Sequence, residues 1–282
     1  MLLKRKTSAE TLKLQEKYGV PYLVFPSLEN TGLVRHAFST RLGGCSTGDL
    51  ATMNLSSTRG DDPENVKENF QRFGAAVGFD PKDLVLSLQT HTTNVHLVTE
   101  EDRGKGFTRP RDYKDVDGLI TNVPGLVLAT FYADCVPLYF VDPVHRAIGL
   151  SHSGWRGTVN RMGEVTLQRM KEAFGTRPSD VWTAIGPSIC QDCYEVSEDV
   201  AQEFINAFEV RADNRLLYRK ENGKYQLNLW RANELVLLES GVPKDRIAVT
   251  DICTCCNPQV LFSHRASKGK RGNLGAFLQL LS

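Results

Sequence analysis

The sequence carries almost no surplus charge: 34 Lys and Arg stand against 33 Asp and Glu, a formal net charge of +1 over 282 residues. No Lys/Arg stripe breaks that balance, so a nucleic-acid backbone would meet no broad positive field and is not expected as a partner. Long apolar runs are also missing. The longest, Leu126 to Val141, contains Asp134 and Pro137 and falls short of the roughly 20 residues that cross a bilayer, so no membrane partner is expected. Met1 to Lys6 is basic but leads into Thr7-Ser8 without the apolar core of a signal peptide, and a cytoplasmic location follows as the expectation. Internal repeats and low-complexity tracts are absent. Seven cysteines cannot all pair within one chain, and a reducing compartment favours free thiols or metal ligands over disulfides.

What is present is ample apolar material, 41% of residues, for a substantial core. Ser8 to Tyr18 reads as a short polar helix stopped by Gly19, followed by strands at Tyr22 to Phe25 and Val34 to Ser39. A Gly/Ser/Thr-rich loop spans Arg41 to Arg59. Asp62-Pro63 then supplies a cap and a first-turn proline for a helix whose Val66, Phe70, Phe73 and Val77 recur at helical spacing. Leu84 to Leu88 and Val95 to Val98 read as strands around His91, and charged Glu100 to Asp115 as an exposed excursion. Val116 to Thr121, Leu126 to Tyr132, Leu138 to Val141 and Ala147 to Ser151 form a strand-rich centre. Helices are expected near Thr158 to Phe174, Ser197 to Phe208 and Asn228 to Ser240, with strands at Val181 to Ile185 and Ile247 to Thr250. Strands without regular helix alternation predict an α+β class with a mixed sheet.

Three separated segments carry the chemistry. His91 follows Gln89-Thr90, Cys135 follows Asp134, and His152 lies in Ser151-His152-Ser153-Gly154-Trp155-Arg156-Gly157. Two imidazoles and a thiolate suffice to hold zinc with a fourth position open. Two other readings stay open. Cys135 could be a nucleophile with His152 as base and Asp134 or Asp117 orienting it, as in a cysteine hydrolase. Cys190-x-x-Cys193 and Cys253-x-x-Cys256 could build a structural zinc site, but their separation far exceeds the ~15–20 residues of a zinc ribbon, which favours ordinary reduced thiols. Cys255 adds a fifth thiol in the same region.

The runs Phe38-Ser39-Thr40-Arg41-Leu42-Gly43-Gly44, Gln89-Thr90-His91, Val116-Asp117-Gly118-Leu119-Ile120-Thr121, Ala133-Asp134-Cys135, Ser151 to Gly157 and Ile185-Gly186-Pro187 occur in the order of the YfiH/YlmD family, which the chain resembles from about Phe38 to Arg265. That family has been labelled multicopper polyphenol oxidoreductase, or laccase-like, and is understood as purine nucleoside phosphorylases with adenosine deaminase activity. The resemblance implies that His91, Cys135 and His152 are ligands of a metal, usually zinc. It also implies mixed sheets sandwiched by helices in α/β/β/α layers, as a single domain over 1–282 with residues 1–33 an N-terminal helix and strand extension. The expected substrates are inorganic phosphate and the purine nucleosides adenosine, inosine and S-methyl-5'-thioadenosine, for an enzyme that is a monomer or homodimer.

Copper is a second candidate occupant, because it outcompetes zinc at many N/S sites, and Met53 or Met162 could supply an axial sulfur. A laccase also needs a histidine-rich cluster. Apart from His91 and His152 only His36, His96, His145 and His264 remain, with no His-x-His pair among them, which argues against multicopper oxidation. Phosphorolysis requires an anion held beside a developing oxocarbenium centre. Arg41, Arg156 and Arg265, near glycines or a polar turn, are the phosphate candidates. Gln89 and Asn54 are candidates for base or ribose contacts, and Trp155 and Tyr132 for stacking. In deamination bound zinc would lower the pKa of water toward ~7. No histidine has glutamate two positions later, so the cytidine-deaminase signature is lacking and Asp134 becomes the candidate proton shuttle.

Overall fold

A computed structural model of the chain describes residues 3–208 and 215–282. Residues 8–18 form no helix. Lys13–Lys17 is strand β1, paired antiparallel with β2 (Val20–Val24), and Tyr18 and Gly19 join them with φ of 53° and 75°. Positive φ at both loop positions is the type I′ arrangement that matches the twist of paired strands. Gly19 is therefore a hairpin residue and not a helix stop.

The chain continues through α1 (Pro26–Glu29), β3 (Val34–Ser39) and α2 (Pro63–Val77). The Asp62 carboxylate accepts from the Glu64 amide to cap α2, and Val66, Phe70 and Phe73 bury one face, as their spacing predicts. Short β4 (Leu84–Leu86) and β5 (Val95–Leu97) flank the His91 connection. The strand-rich centre comprises β6 (Gly118–Thr121), β7 (Val127–Tyr132), β8 (Val136–Asp142) and β9 (Ala147–Ser153). Where one helix was expected up to Phe174, two occur, α3 (Trp155–Val159) and α4 (Met162–Phe174), because Arg161 at φ 59° breaks the path. Then follow β10 (Trp182–Ile185), β11 (Glu195–Val196), α5 (Glu198–Ala207), β12 (Leu217–Arg219) and β13 (Tyr225–Leu227). Last come α6 (Leu229–Glu239), β14 (Ile247–Val249), α7 (His264–Ser267) and β15 (Leu274–Leu280), a fully buried strand that is not among those expected from sequence.

Two six-stranded sheets carry the architecture, ordered β1-β2-β3-β15-β7-β4 and β14-β10-β8-β9-β6-β5, with a small third sheet β11-β13-β12. Both large sheets are mixed: β4–β7, β5–β6 and β10–β14 are parallel pairs among antiparallel ones. Between them lies one apolar cluster, with Phe38, Leu128, Leu274, Ala276 and Leu278 from the first sheet and Tyr139, Ile148 and Leu150 from the second. On the outer face of the first sheet α2 packs Val66, Phe70 and Phe73 against Ala37, Ala129 and Phe277. On that of the second, Met162, Leu167 and Met170 of α4 and Val236 and Leu237 of α6 pack against Ile120, Leu138 and Phe140. The result is the α+β fold in helix, sheet, sheet, helix layers. Among the described residues no helix is long and apolar enough to cross a membrane.

Candidate active site

The β8–β9 hairpin sets the first two site residues, Cys135 and His152, diagonally across neighbouring strands. Its register pairs Val136 with Ser153 and Pro137 with His152, so one step further Cys135 stands opposite Gly154. β6 pairs alongside with Gly118 opposite Ser151, which brings Asp117 to His152, whose amide donates to the Asp117 carbonyl at 2.7 Å. The third residue comes from the connection between β4 and β5. There the Asp117 carboxylate accepts from the amides of Thr90, His91 and Thr92 at 3.0, 3.1 and 3.0 Å, and this ring of donors holds His91 at φ 66°.

The same carboxylate reaches the other imidazole: His152 Nδ1 lies 2.8 Å from Asp117 Oδ1. A carboxylate only accepts, so Nδ1 carries the proton and Nε2 is left for other work. The rings of His91 and His152 are 4.9 Å apart, and the ligand atoms of His91, Cys135 and His152 all lie within 4.8 Å of one another. Burial falls outward from His152, which is buried, through Cys135 to exposed His91. A Cβ at Gly154 would stand 2.8 Å from His91 Nδ1 and 3.3 Å from Cys135 Sγ. Glycine at this position keeps the space among the donors clear, and the trio fits a single metal ion.

Electrostatics supports the same grouping. Burial, the largest influence, pushes the His152 imidazolium pKa down, yet the Cys135 sulfur and Asp117 outweigh it and raise it to about 9. Burial would likewise push the Asp117 carboxyl up, but His152 and the loop amides hold it below the usual carboxylate range.

The trio opens into a cavity of about 750 Å³. Phe70, Phe107, Phe131 and Tyr132 supply aromatic wall, while Arg59, Lys67, Arg111 and Arg271 supply cations. Arg271 is largely desolvated; burial first, and then Arg59, push its guanidinium down to about 10, so it stays cationic at neutral pH. Its Nε is buried and has no hydrogen-bond partner among the described residues, although another of its nitrogens contacts Asn273. The excursion from Glu100 to Asp115 is not merely exposed, because Gly106, Phe107, Thr108 and Arg111 from it line the cavity.

The other predicted residues are distributed differently. Gln89 lines the cavity, but its amide is spent on the Phe131 backbone at 2.8 and 2.7 Å. Asn54 is fully buried and bonded to Ser56, Asp61 and Asn273, which leaves it a loop staple with no access to substrate. Arg41 donates to the carbonyls of Ala51 and Pro258 and stacks 4.5 Å over Phe262, away from the cavity lining. Arg265 donates to the carbonyls of Cys193 and Glu195. Arg156 lies 4.2 Å over the Trp155 ring, and neither arginine lines the cavity. Asp134, at φ 90°, accepts from Thr254 Oγ1 and the Arg265 amide, both at 2.7 Å, so its carboxylate secures the turn before Cys135. Met53 and Met162 are buried in separate apolar clusters and supply no axial sulfur to the trio. Asp117, expected from sequence only as an orienting group for a nucleophile, proves to be the residue that ties both histidine segments together.

Comparison with known proteins finds relatives that carry different activity names. Residues 35–281 match the family model described as multi-copper polyphenol oxidoreductase laccase. The chain is 35% identical over 254 residues to purine nucleoside phosphorylase YlmD of Bacillus subtilis, covering 89% of this chain and 90% of that one. It is 33% identical over 231 residues to adenosine deaminase RL5 from an unknown prokaryotic organism, covering 81% and 87%. The crystal structure of YlmD from Geobacillus stearothermophilus superposes with a TM-score of 0.86 at 32% identity, over 95% of this chain and 99% of that one.

Proposed function

Because the chain belongs to the multi-copper polyphenol oxidoreductase laccase family, the YfiH/YlmD group whose motifs it carries, we propose that it is a zinc-dependent purine nucleoside phosphorylase with an adenosine deaminase side activity. Adenosine, inosine and S-methyl-5'-thioadenosine are its substrates in this reading. The observation that carries it is the junction of the His91/Cys135/His152 trio with a cavity lined by both aromatic rings and cationic side chains.

In phosphorolysis an oxygen of inorganic phosphate forms a bond to the anomeric carbon as the bond to the purine nitrogen breaks, giving free base and ribose 1-phosphate. The chain must therefore hold an anion and a flat heterocycle at once. Arg271, with an unpartnered Nε, and Arg111, also desolvated by burial, are the phosphate-holding residues of this proposal. Phe107 and Phe131 offer faces for the purine. A zinc held by His91, Cys135 and His152 would supply Lewis acidity beside the cavity. Asp117 fixes the His152 tautomer and the His91 backbone, so the donors are arranged before the ion arrives. Copper oxidation has less support: the described residues form two groups suited to a metal, and neither is a second histidine cluster.

The chain of contacts from Asp117 through His152 to Cys135 also matches a cysteine hydrolase triad, the one geometry that favours a second reading. His91 has no role there. Chromatography of products from adenosine, with and without phosphate and with zinc-loaded or stripped protein, decides between them. Adenine and ribose 1-phosphate formed only with both zinc and phosphate support the proposal. Turnover by stripped protein that is abolished by alkylating Cys135 would favour the hydrolase.

A further inference from the structure

The two Cys-x-x-Cys pairs, read from sequence as ordinary thiols, meet in space. Cys190 precedes and Cys193 ends the short turn Gln191–Cys193 between β10 and β11. Cys253 and Cys256 lie in the loop after β14, and the segments are drawn together by a bridge between Ser188 and Cys253 and by the Thr254 amide donating to the Ser188 carbonyl at 3.1 Å. The sulfur of each cysteine lies within 4.8 Å of the other three. The separations are 3.5 Å for Cys193 to Cys256 and 4.0 Å for Cys190 to Cys256. A disulfide needs about 2.05 Å. Four sulfurs at about 2.3 Å from a central zinc in a tetrahedron would instead stand about 3.8 Å apart, and the observed separations bracket that edge.

The surroundings suit four thiolates. Cys253 Sγ accepts from the amides of Cys190 at 3.2 Å and of Cys256 at 3.4 Å, the outer hydrogen bonds that steady a metal-bound sulfur. Lys6 lies 2.9 Å from Asp192, which stands between Cys190 and Cys193, and so brings a cation to the neighbourhood of a centre that would carry a formal charge of about −2 with four thiolates on zinc. Cys255 stays outside the quartet. Two of the four cysteines are buried, and all four offer sulfur with no position left for water, which distinguishes this site from the cavity trio.

We propose that Cys190, Cys193, Cys253 and Cys256 hold a second, structural zinc ion in a closed four-sulfur site. Its position gives it a task. Ile189, beside Cys190, donates its amide to the Asp134 carbonyl at 3.0 Å, and Thr254, beside Cys253, donates its hydroxyl to the Asp134 carboxylate. The clip therefore ties together both segments that grip the turn presenting Cys135.

The proposal stands apart from the assignment of the reaction, and its test reads metal directly. Protein purified under reducing conditions should contain two zinc equivalents per chain by elemental analysis. The triple variant His91→Ala/Cys135→Ser/His152→Ala should retain one, with X-ray absorption at the zinc edge showing sulfur neighbours only. Cys190→Ser/Cys256→Ser should lose one equivalent, and if that variant does not fold the triple variant still decides. The proposal is overturned if the folded triple variant binds no zinc and its four cysteines alkylate freely, if they are found as disulfides, or if iron fills the site. Loss of nucleoside turnover in the triple variant bears only on the cavity trio.

Discussion

The Asp117 carboxylate lies 2.8 Å from the His152 imidazole while also accepting the amide of His91, so one buried side chain sets two donors that are far apart in sequence. Replacing it tests the preorganisation. Asp117→Asn leaves the volume unchanged but removes the charge that fixes the His152 tautomer. Zinc affinity at the cavity trio should fall by about 10- to 100-fold, read by competition with a chromophoric chelator. Unchanged affinity would mean that the trio is held by the sheet alone.

Gly154 has φ −70°, a conformation open to any residue, so its replacement tests space without backbone strain. In Gly154→Ala the new methyl would meet His91 Nδ1 and Cys135 Sγ. The variant should keep its circular dichroism and lose both the cavity zinc and nucleoside turnover. Full metal content at that site would show that the donors can separate.

Arg271 and Arg41 make a matched pair. Arg271→Ala should raise the Michaelis constant for phosphate by about tenfold to a hundredfold, the loss of one charge-assisted contact of about 1.5–3 kcal/mol. Arg41→Ala should leave that constant unchanged and lower thermal stability instead, because its guanidinium joins the Ala51 and Pro258 carbonyls. Steady-state kinetics with varied phosphate checks both.

His36 makes acid stability predictable. Its Nε2 accepts from the Phe25 amide at 2.8 Å, and burial pushes its pKa down to about 3. As pH falls below about 6.5 the unfolded chain takes up a proton that the folded chain refuses until about pH 3. Stability should therefore decline by up to about 1.4 kcal/mol per pH unit across that window. His36→Gln keeps an acceptor but cannot titrate, so its urea midpoint should fall less than that of the wild type between pH 7 and pH 4.5. Parallel declines would remove His36 as a cause.

The convergence of His91, Cys135 and His152 was legible because these residues end apolar runs, and strands deliver such residues to a common edge. Their organiser was harder to see. Asp117 sits in Val116-Asp117-Gly118, which reads as the start of a strand, and only the β6–β9 register turns its carboxylate into a link between histidines. The cavity cations were missed for a related reason. Arg111 lies in a charged stretch that reads as solvated, and Arg271 precedes β15, where Leu274, Ala276, Leu278 and Leu280 carried a strand signal that went unread. The arginines chosen for their glycine neighbours instead brace backbone carbonyls or stack on a ring. Glycine misled near the amino end, where Gly19, read as a helix stop, forms with Tyr18 a tight reversal between strands.

The order of strands in the first large sheet bears on how the molecule is made. β15 lies between β3 and β7, pairing Phe38 with Ala276 on one side and Thr130 with Ala276 on the other. A ribosome releases the flanking strands long before their shared partner exists, so during synthesis each presents an open edge able to recruit another chain. Truncation within 274–280 would leave both neighbours unpaired along one edge, because the gap between them closes only when that late keystone arrives.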